Sequence, residues 1–217
     1  MKKYLSRLLS FFLLIATFQS CKKENAAVPS KDYSLSVKDK VWWGTLTNAG
    51  ETLQYYSVHF SATNLLLWSQ FSDNYTGQYT VERNKLTMTF VNPSVVVTAD
   101  ITDDNKMTNI TTNTANKVNS GELVENPKIP LEGTVWSGNL SYFPAIIQLN
   151  FLDGAKVETT FGIKTYPSGS YSRSASGGVI RFDLPTLAHP MFCVIANNGT
   201  LKGSYNLPTN AWQASKR

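Results

Sequence analysis

The same motif is written twice along this chain. Val41-Trp42-Trp43-Gly44-Thr45-Leu46 returns 94 residues later as Val135-Trp136-Ser137-Gly138-Asn139-Leu140. Tyr56-Ser57-Val58-His59-Phe60 matches Ile147-Gln148-Leu149-Asn150-Phe151 at 91, and Tyr75-Thr76-Gly77-Gln78-Tyr79 matches Pro167-Ser168-Gly169-Ser170-Tyr171 at 92. Leu86, Met88 and Phe90 fall on Ile180, Phe182 and Leu184; Ile101, Asn105 and Met107 fall on Ile195, Gly199 and Leu201, all at 94. Order is kept and the spacing drifts by only three residues. Self-similarity at a fixed long period marks a duplicated structural unit.

Each copy reads as β structure. The chain after residue 20 is rich in Thr, Ser, Asn, Tyr, Phe and Val, and short alternating runs are cut by Gly, Asn, Asp and Pro every 8 to 12 residues. That is the signature of an antiparallel meander. About seven strands are expected per copy, the first set running from Lys40 to Thr112 and the second from Thr134 to Asn206. The polar stretch Lys117–Ile129, with Gly121 and Pro127, reads as a linker. The expected organisation is a leader over 1–20, a tether over 21–36, a first repeat over 37–116, a linker over 117–129 and a second repeat over 130–217.

Duplication also assigns faces. Tyr56, Val58 and Phe60 pair with Ile147, Leu149 and Phe151, so that face is core in both copies, while Ser57, His59, Gln148 and Asn150 point outward. Trp42 and Tyr79 have partners in Trp136 and Tyr171 and are assigned to the core. Gly77 and Gly169, each two residues before a Tyr, mark a bend or bulge where a side chain would clash.

The Trp-x-Gly start, the Gly-x-Tyr strand and the following Ile-x-Phe-type strand resemble the small lipocalin-like repeats of Bacteroidota lipoproteins. The resemblance covers nearly the whole chain beyond the leader. It implies an up-and-down sheet curled into a barrel or cup, in some members around a ligand. At about 85 to 90 residues each, the copies leave two arrangements open: two small barrels, or two halves of one larger sheet.

The leader supports the same reading. Lys2, Lys3 and Arg7 precede an apolar run, Leu8–Phe18, and small Ser20 stands before Cys21 and a polar stretch, Lys22-Lys23-Glu24-Asn25. That is the layout of a secretory signal. The run is short of the ~20 apolar residues a spanning helix needs. Phe18-Gln19-Ser20-Cys21 resembles the lipobox of bacterial lipoproteins, with Phe18 where Leu is usual and Gln19 where a small residue is usual. The resemblance implies acylation of Cys21 and anchoring to the outer membrane, with the periplasmic and the surface face both open.

Three basic residues and no acidic ones precede Cys21, so the formal charge of +5 falls to +2 beyond it. Such a balance with scattered basic residues does not suit nucleic-acid binding. If Cys21 carries lipid, Cys193 is left unpaired, and its neighbours Met191, Phe192, Val194 and Ile195 suit a buried, inert thiol rather than a nucleophile.

Candidate sites are few. Asp100-Ile101-Thr102-Asp103-Asp104-Asn105 has carboxylates enough for calcium, but its repeat partner Ala196-Asn197-Asn198-Gly199 reads as a tight turn, and so does it. His59 and His189 do not make a metal cluster by themselves. No nucleophile elbow, zinc-protease motif, phosphate loop or CxxC is present. Trp43 and Tyr55 are aromatics without aromatic partners in the second copy, which has Ser137 and Ile146. They either fill surface or stand ready to stack on a sugar or a partner.

The expected protein is thus a lipid-anchored, all-β, non-catalytic binding module without a cofactor or metal. Its ligand is a small apolar molecule or a saccharide, with Trp43 and Tyr55 as candidate contacts. An envelope protein partner or inhibitor-like scaffold is the alternative. A hydrolase with spatially paired acids is a third reading.

Overall fold

The computed structural model describes residues 31–50, 53–70, 73–140, 145–174, 177–185, 191–205 and 207–217. Cys21, the leader, most of the tether and His189 lie outside the described residues.

Two closed antiparallel barrels stand in tandem. The first comprises β1 (Lys40–Thr47), β2 (Leu53–Phe60), β3 (Leu65–Gln70), β4 (Asp73–Glu82), β5 (Lys85–Phe90), β6 (Val95–Ile101), β7 (Lys106–Thr112) and β8 (Lys117–Leu123). The second comprises β9 (Thr134–Leu140), β10 (Ile146–Leu152), β11 (Lys156–Phe161), β12 (Lys164–Arg173), β13 (Val179–Asp183), β14 (Met191–Ala196), β15 (Thr200–Tyr205) and β16 (Leu207–Lys216). Neighbours in sequence are neighbours in the sheet, and β1 closes on β8 as β9 closes on β16. Two barrels form, not two halves of one sheet.

Each barrel has eight strands where the pattern predicts seven, and the linker is correspondingly shorter than 117–129. The missed strands are the ones that close the barrels. In β8 an inward position falls on Gly121, opposite Gly44, where a side chain would stand 2.5 Å from the Met107 sulfur and 3.0 Å from the Tyr56 hydroxyl. A strand whose inward position is a glycine loses the alternation that identifies strands. In β16 only Trp212 and Ala214 supply inward apolar groups among its described side chains.

The assigned faces hold. Tyr56, Val58, Phe60, Ile147, Leu149 and Phe151 are all fully buried, and Trp42 and Trp136 fill the matching place in each core. Gly169 sits at a register shift between β11 and β12, as a bulge requires. A Cβ at Gly169 would overlap Leu184, and one at Gly77 would overlap the Thr89 carbonyl.

One end of each barrel is closed. In the first, the short helix α1 (Ser34–Val37) lies across the end, with Val37 fully buried and the Trp42 indole donating to the Ser36 carbonyl at 3.1 Å. Residues 33–36, expected in the tether, therefore belong to the fold, because a barrel end lined by apolar side chains needs cover. In the second, Leu131 is the cover, and the Trp136 indole donates to Thr134 Oγ1 at 2.8 Å, which in turn donates to the Leu131 carbonyl. Arg173 fastens this segment by donating to the carbonyls of Pro127, at 2.8 Å, and Ile129.

The barrels pack side against side. Every residue of β14 is buried, on both faces. Met191, Cys193 and Ile195 point into their own barrel, since Ile180 and Phe182 lie opposite Cys193 and Met191. Phe192 and Val194 point outward and meet Val41 and Trp43 of the first barrel. Gly178 admits Ser57 and Val41: a Cβ there would stand 2.7 Å from Val41 Cγ1. The first barrel uses its first two strands and the second uses its sixth to eighth, so the contact is not a pseudo-twofold one.

Candidate functional site

The first barrel is open at the end opposite α1, and the opening leads into a cup of about 100 Å³. Its apolar walls are Leu46, Trp68, Phe90, Val95, Val97 and Val118, with Tyr75 and Pro93 nearer the rim. Gln70, Thr112, Thr114 and Asn116 supply the polar groups. No charged residue lines it.

Local sequence explains the shape. The β3 run Leu66, Trp68, Gln70 alternates into the barrel, so Trp68 stands one step inside the mouth and Gln70 at it. Trp68 stacks on Tyr56, with centroids 3.8 Å apart and planes within 10°, and meets Phe90 edge-on at 5.9 Å. Tyr56 is itself fixed by donating to the Ser120 carbonyl at 2.8 Å, and its burial pushes the phenol's pKa far up. One wall of the cup is therefore a rigid aromatic stack. The Trp68 indole donates to Gln70 Oε1 at 2.8 Å, and the Ala49 amide donates to Asn116 Oδ1 at 3.1 Å. Thr112 Oγ1 donates to the Asn116 carbonyl at 2.5 Å, tightening the β7–β8 turn. Thr114 Oγ1 is buried without a hydrogen-bond partner. At the rim, burial above all, and then the charge of Asp73 and its hydrogen bond, raise the Tyr75 pKa.

The second barrel does not repeat this arrangement. Val58 pairs with Trp68 as Leu149 pairs with Thr159, and Tyr56 pairs with Gln70 as Ile147 pairs with Phe161. Thr159 and Phe161 thus stand where the first barrel has Trp68 and Gln70. No protein-family model, curated protein or solved structure matches the chain.

The sequence-derived candidates lie elsewhere. Trp43 is only 6% exposed, wedged between the barrels, and Lys202 covers its ring at 4.7 Å from the centroid. Tyr55 is half-buried beside it, ring centroids 6.4 Å apart, and burial raises its pKa. Neither lines the cup. Their lack of aromatic partners in the second copy reflects the contact between barrels, which uses this face of the first barrel and not of the second. Cup residues on β3 carried the same signal, since Trp68 also lacks an aromatic counterpart, but that depended on knowing the register.

Asp100 and Ile101 end β6, and Thr102–Asn105 is the β6–β7 hairpin turn, matching the 3-10 turn Asn197–Gly199 in the second barrel. Asn105 adopts φ 56° there and Gly199 φ 66°, the left-handed values these residues tolerate. The carboxylates diverge to separate partners: Asp100 to Asn109 and Lys85, Asp103 to Tyr33, Asp104 to Thr102 and Lys106. The Lys106 contact, with the Thr102 bond behind it, lowers the Asp104 pKa to about 2. His59 points outward, 3.7 Å from Asp39. Among the described residues no group of three or more His, Cys, Asp or Glu could hold a metal ion. Cys193 is fully buried in the second core, where desolvation drives its thiol pKa well up.

Proposed function

We propose that this chain is an envelope lipoprotein, acylated on Cys21 and held to the outer membrane, whose first barrel binds a small, largely apolar ligand without catalysing a reaction. The observation that carries the reading is the cup: an apolar, aromatic-walled recess with a few polar groups at its mouth, the usual composition of a ligand site. Trp68 and Gln70 are specific to the first copy, so their pairing at the mouth does not follow from the duplicated fold. The cup lining carries no carboxylate, imidazole, amine or thiol, which favours binding over chemistry. The second barrel, with Thr159 and Phe161 in place of Trp68 and Gln70, serves as the packing partner that covers the Trp43 face.

The test is a titration of the full chain with ethylbenzene, a one-ring probe sized to the cup, and, separately, N-acetylglucosamine, followed by calorimetry and thermal unfolding. Saturation by the aromatic probe at 100 times its Kd raises stability by about 2.7 kcal/mol. Trp68→Thr, which installs the residue of the second copy, abolishes the effect. Binding of the sugar alone assigns the saccharide reading instead. The anchor is tested by the mass of the mature protein and by membrane partitioning of Cys21→Ala, which moves to the soluble fraction if the lipid holds it.

A further inference from the structure

We infer that the cup selects uncharged, planar ligands carrying a carbonyl or comparable hydrogen-bond acceptor, and that Gln70 is the residue that reads this acceptor. This deepens the ligand-binding reading above and rests on it.

Each of the two mouth amides already uses one of its polar atoms within the protein. An indole N–H and a backbone N–H can only donate, so whatever they meet must accept. Trp68 Nε1 therefore fixes Gln70 with its oxygen turned to the indole, and the Ala49 amide fixes Asn116 the same way. In each side chain the oxygen is engaged within the protein and the NH2 group remains. The polar groups left to a ligand at the mouth are thus biased toward donation. Thr114 adds a hydroxyl, buried and without a partner, that can turn to donate.

Charge narrows the class further. A carboxylate entering the cup would leave water for a lining that holds no cation, a transfer that costs several kcal/mol when the charge is unpaired. The carboxylate of Asp73, 3.4 Å from the Tyr75 hydroxyl at the rim, adds repulsion. A cation would likewise leave water for walls that carry no carboxylate to pair it. A pure hydrocarbon would satisfy the walls but strip water from Gln70 Nε2 without replacing its hydrogen bonds. A neutral planar molecule with an acceptor at one edge meets every condition: its ring lies against the aromatic wall and its oxygen takes the amide hydrogens.

Three one-ring probes of nearly one shape, sized to the cup, separate these cases: acetophenone, ethylbenzene and benzoate, titrated calorimetrically into the full chain. The ketone is expected to bind roughly tenfold more tightly than its ethyl isostere, about one net hydrogen bond, and more tightly than the carboxylate by at least as much. In amide proton spectra the ketone shifts the Gln70 side-chain NH2 resonances; the hydrocarbon leaves them in place. Gln70→Leu brings the ketone-to-hydrocarbon ratio below about twofold while retaining hydrocarbon binding, and Gln70→Met does the same if the leucine variant folds poorly. Equal affinity for ketone and hydrocarbon, or tightest binding of the carboxylate, overturns the inference and leaves the apolar cup standing. Failure of all three probes to bind overturns both.

Discussion

The ammonium of Lys202 stands 4.7 Å from the centroid of the Trp43 ring, one residue contributed by each barrel. This contact, backed by Phe192, Val194 and Val41, is where the two copies of the duplicated unit stop being equivalent. Trp43 corresponds to Ser137 in the second copy, and Phe192 and Val194 correspond to Thr98 and Asp100 in the first. Trp43, Phe192 and Val194 are apolar where the barrels meet, while their counterparts Ser137, Thr98 and Asp100 are polar. Pairing of unlike faces could continue from barrel to barrel, and the polar counterparts stop it at two.

Replacing Trp43 by the serine of the second copy should therefore destabilise the chain by about 3 kcal/mol, in the range for emptying a buried tryptophan site. The barrels should then melt in two separated transitions by calorimetry. Lys202→Ala removes only the cation-π part, about 0.5 to 1 kcal/mol.

The barrel seams depend on glycine. A Cβ at Gly138 would overlap the Gln213 carbonyl, and one at Gly44 the Ser120 carbonyl, both backbone atoms that cannot swing aside. Gly138→Ala should cost about 3 kcal/mol or more, read by denaturant unfolding. Gly154→Ala meets no atom within 4 Å and carries only the strain of φ +70°, about 1 kcal/mol.

Arg173 holds the segment between the barrels through the Pro127 and Ile129 carbonyls. Arg173→Ala should cost about 1.5 to 3 kcal/mol, the range for hydrogen bonds from a charged donor, and should expose residues 125–131 to limited proteolysis. Arg173→Lys restores part of this, since one ammonium does not reproduce the two-pronged geometry.

Alkaline pH should weaken the fold. Cys193 and Tyr56 have ordinary pKa values of 9.0 and 10.0 and are held neutral by burial, so both are raised in the folded state. Their contribution to stability is complete below about pH 9 and is lost progressively as pH rises and the unfolded chain ionises first. Denaturant midpoints measured from pH 7 to 11 should fall over that interval. Native Cys193 should resist iodoacetamide until the protein unfolds, because the thiolate is the reactive form.

Much of this architecture was legible in residue order. Alternation with period two identified fourteen of the sixteen strands and placed Tyr56, Val58 and Phe60 with their partners in the cores. The repeat converted Asp100–Asn105 from a string of carboxylates into a hairpin turn. The closing strands were missed because β8 puts Gly121 where the pattern wants an apolar residue, and that glycine is required by Met107 on the neighbouring strand and by Tyr56, far away in sequence. The cup was missed for a related reason: Gln70 ends a strand and Asn116 lies between two, and only strand register sets both at one mouth.

The chain by itself thus determined a duplicated β unit and which side of most strands faces inward, since burial on one face of a strand leaves a period that can be read locally. Only the tertiary structure decided that each unit closes as an eight-stranded barrel, that Trp43 lies between barrels and not in a site, and that Trp68, Gln70 and Asn116 meet at an open cup in the first. Those outcomes depend on which surfaces meet across long stretches of chain, and a side chain pointing outward carries no local sign of what will cover it.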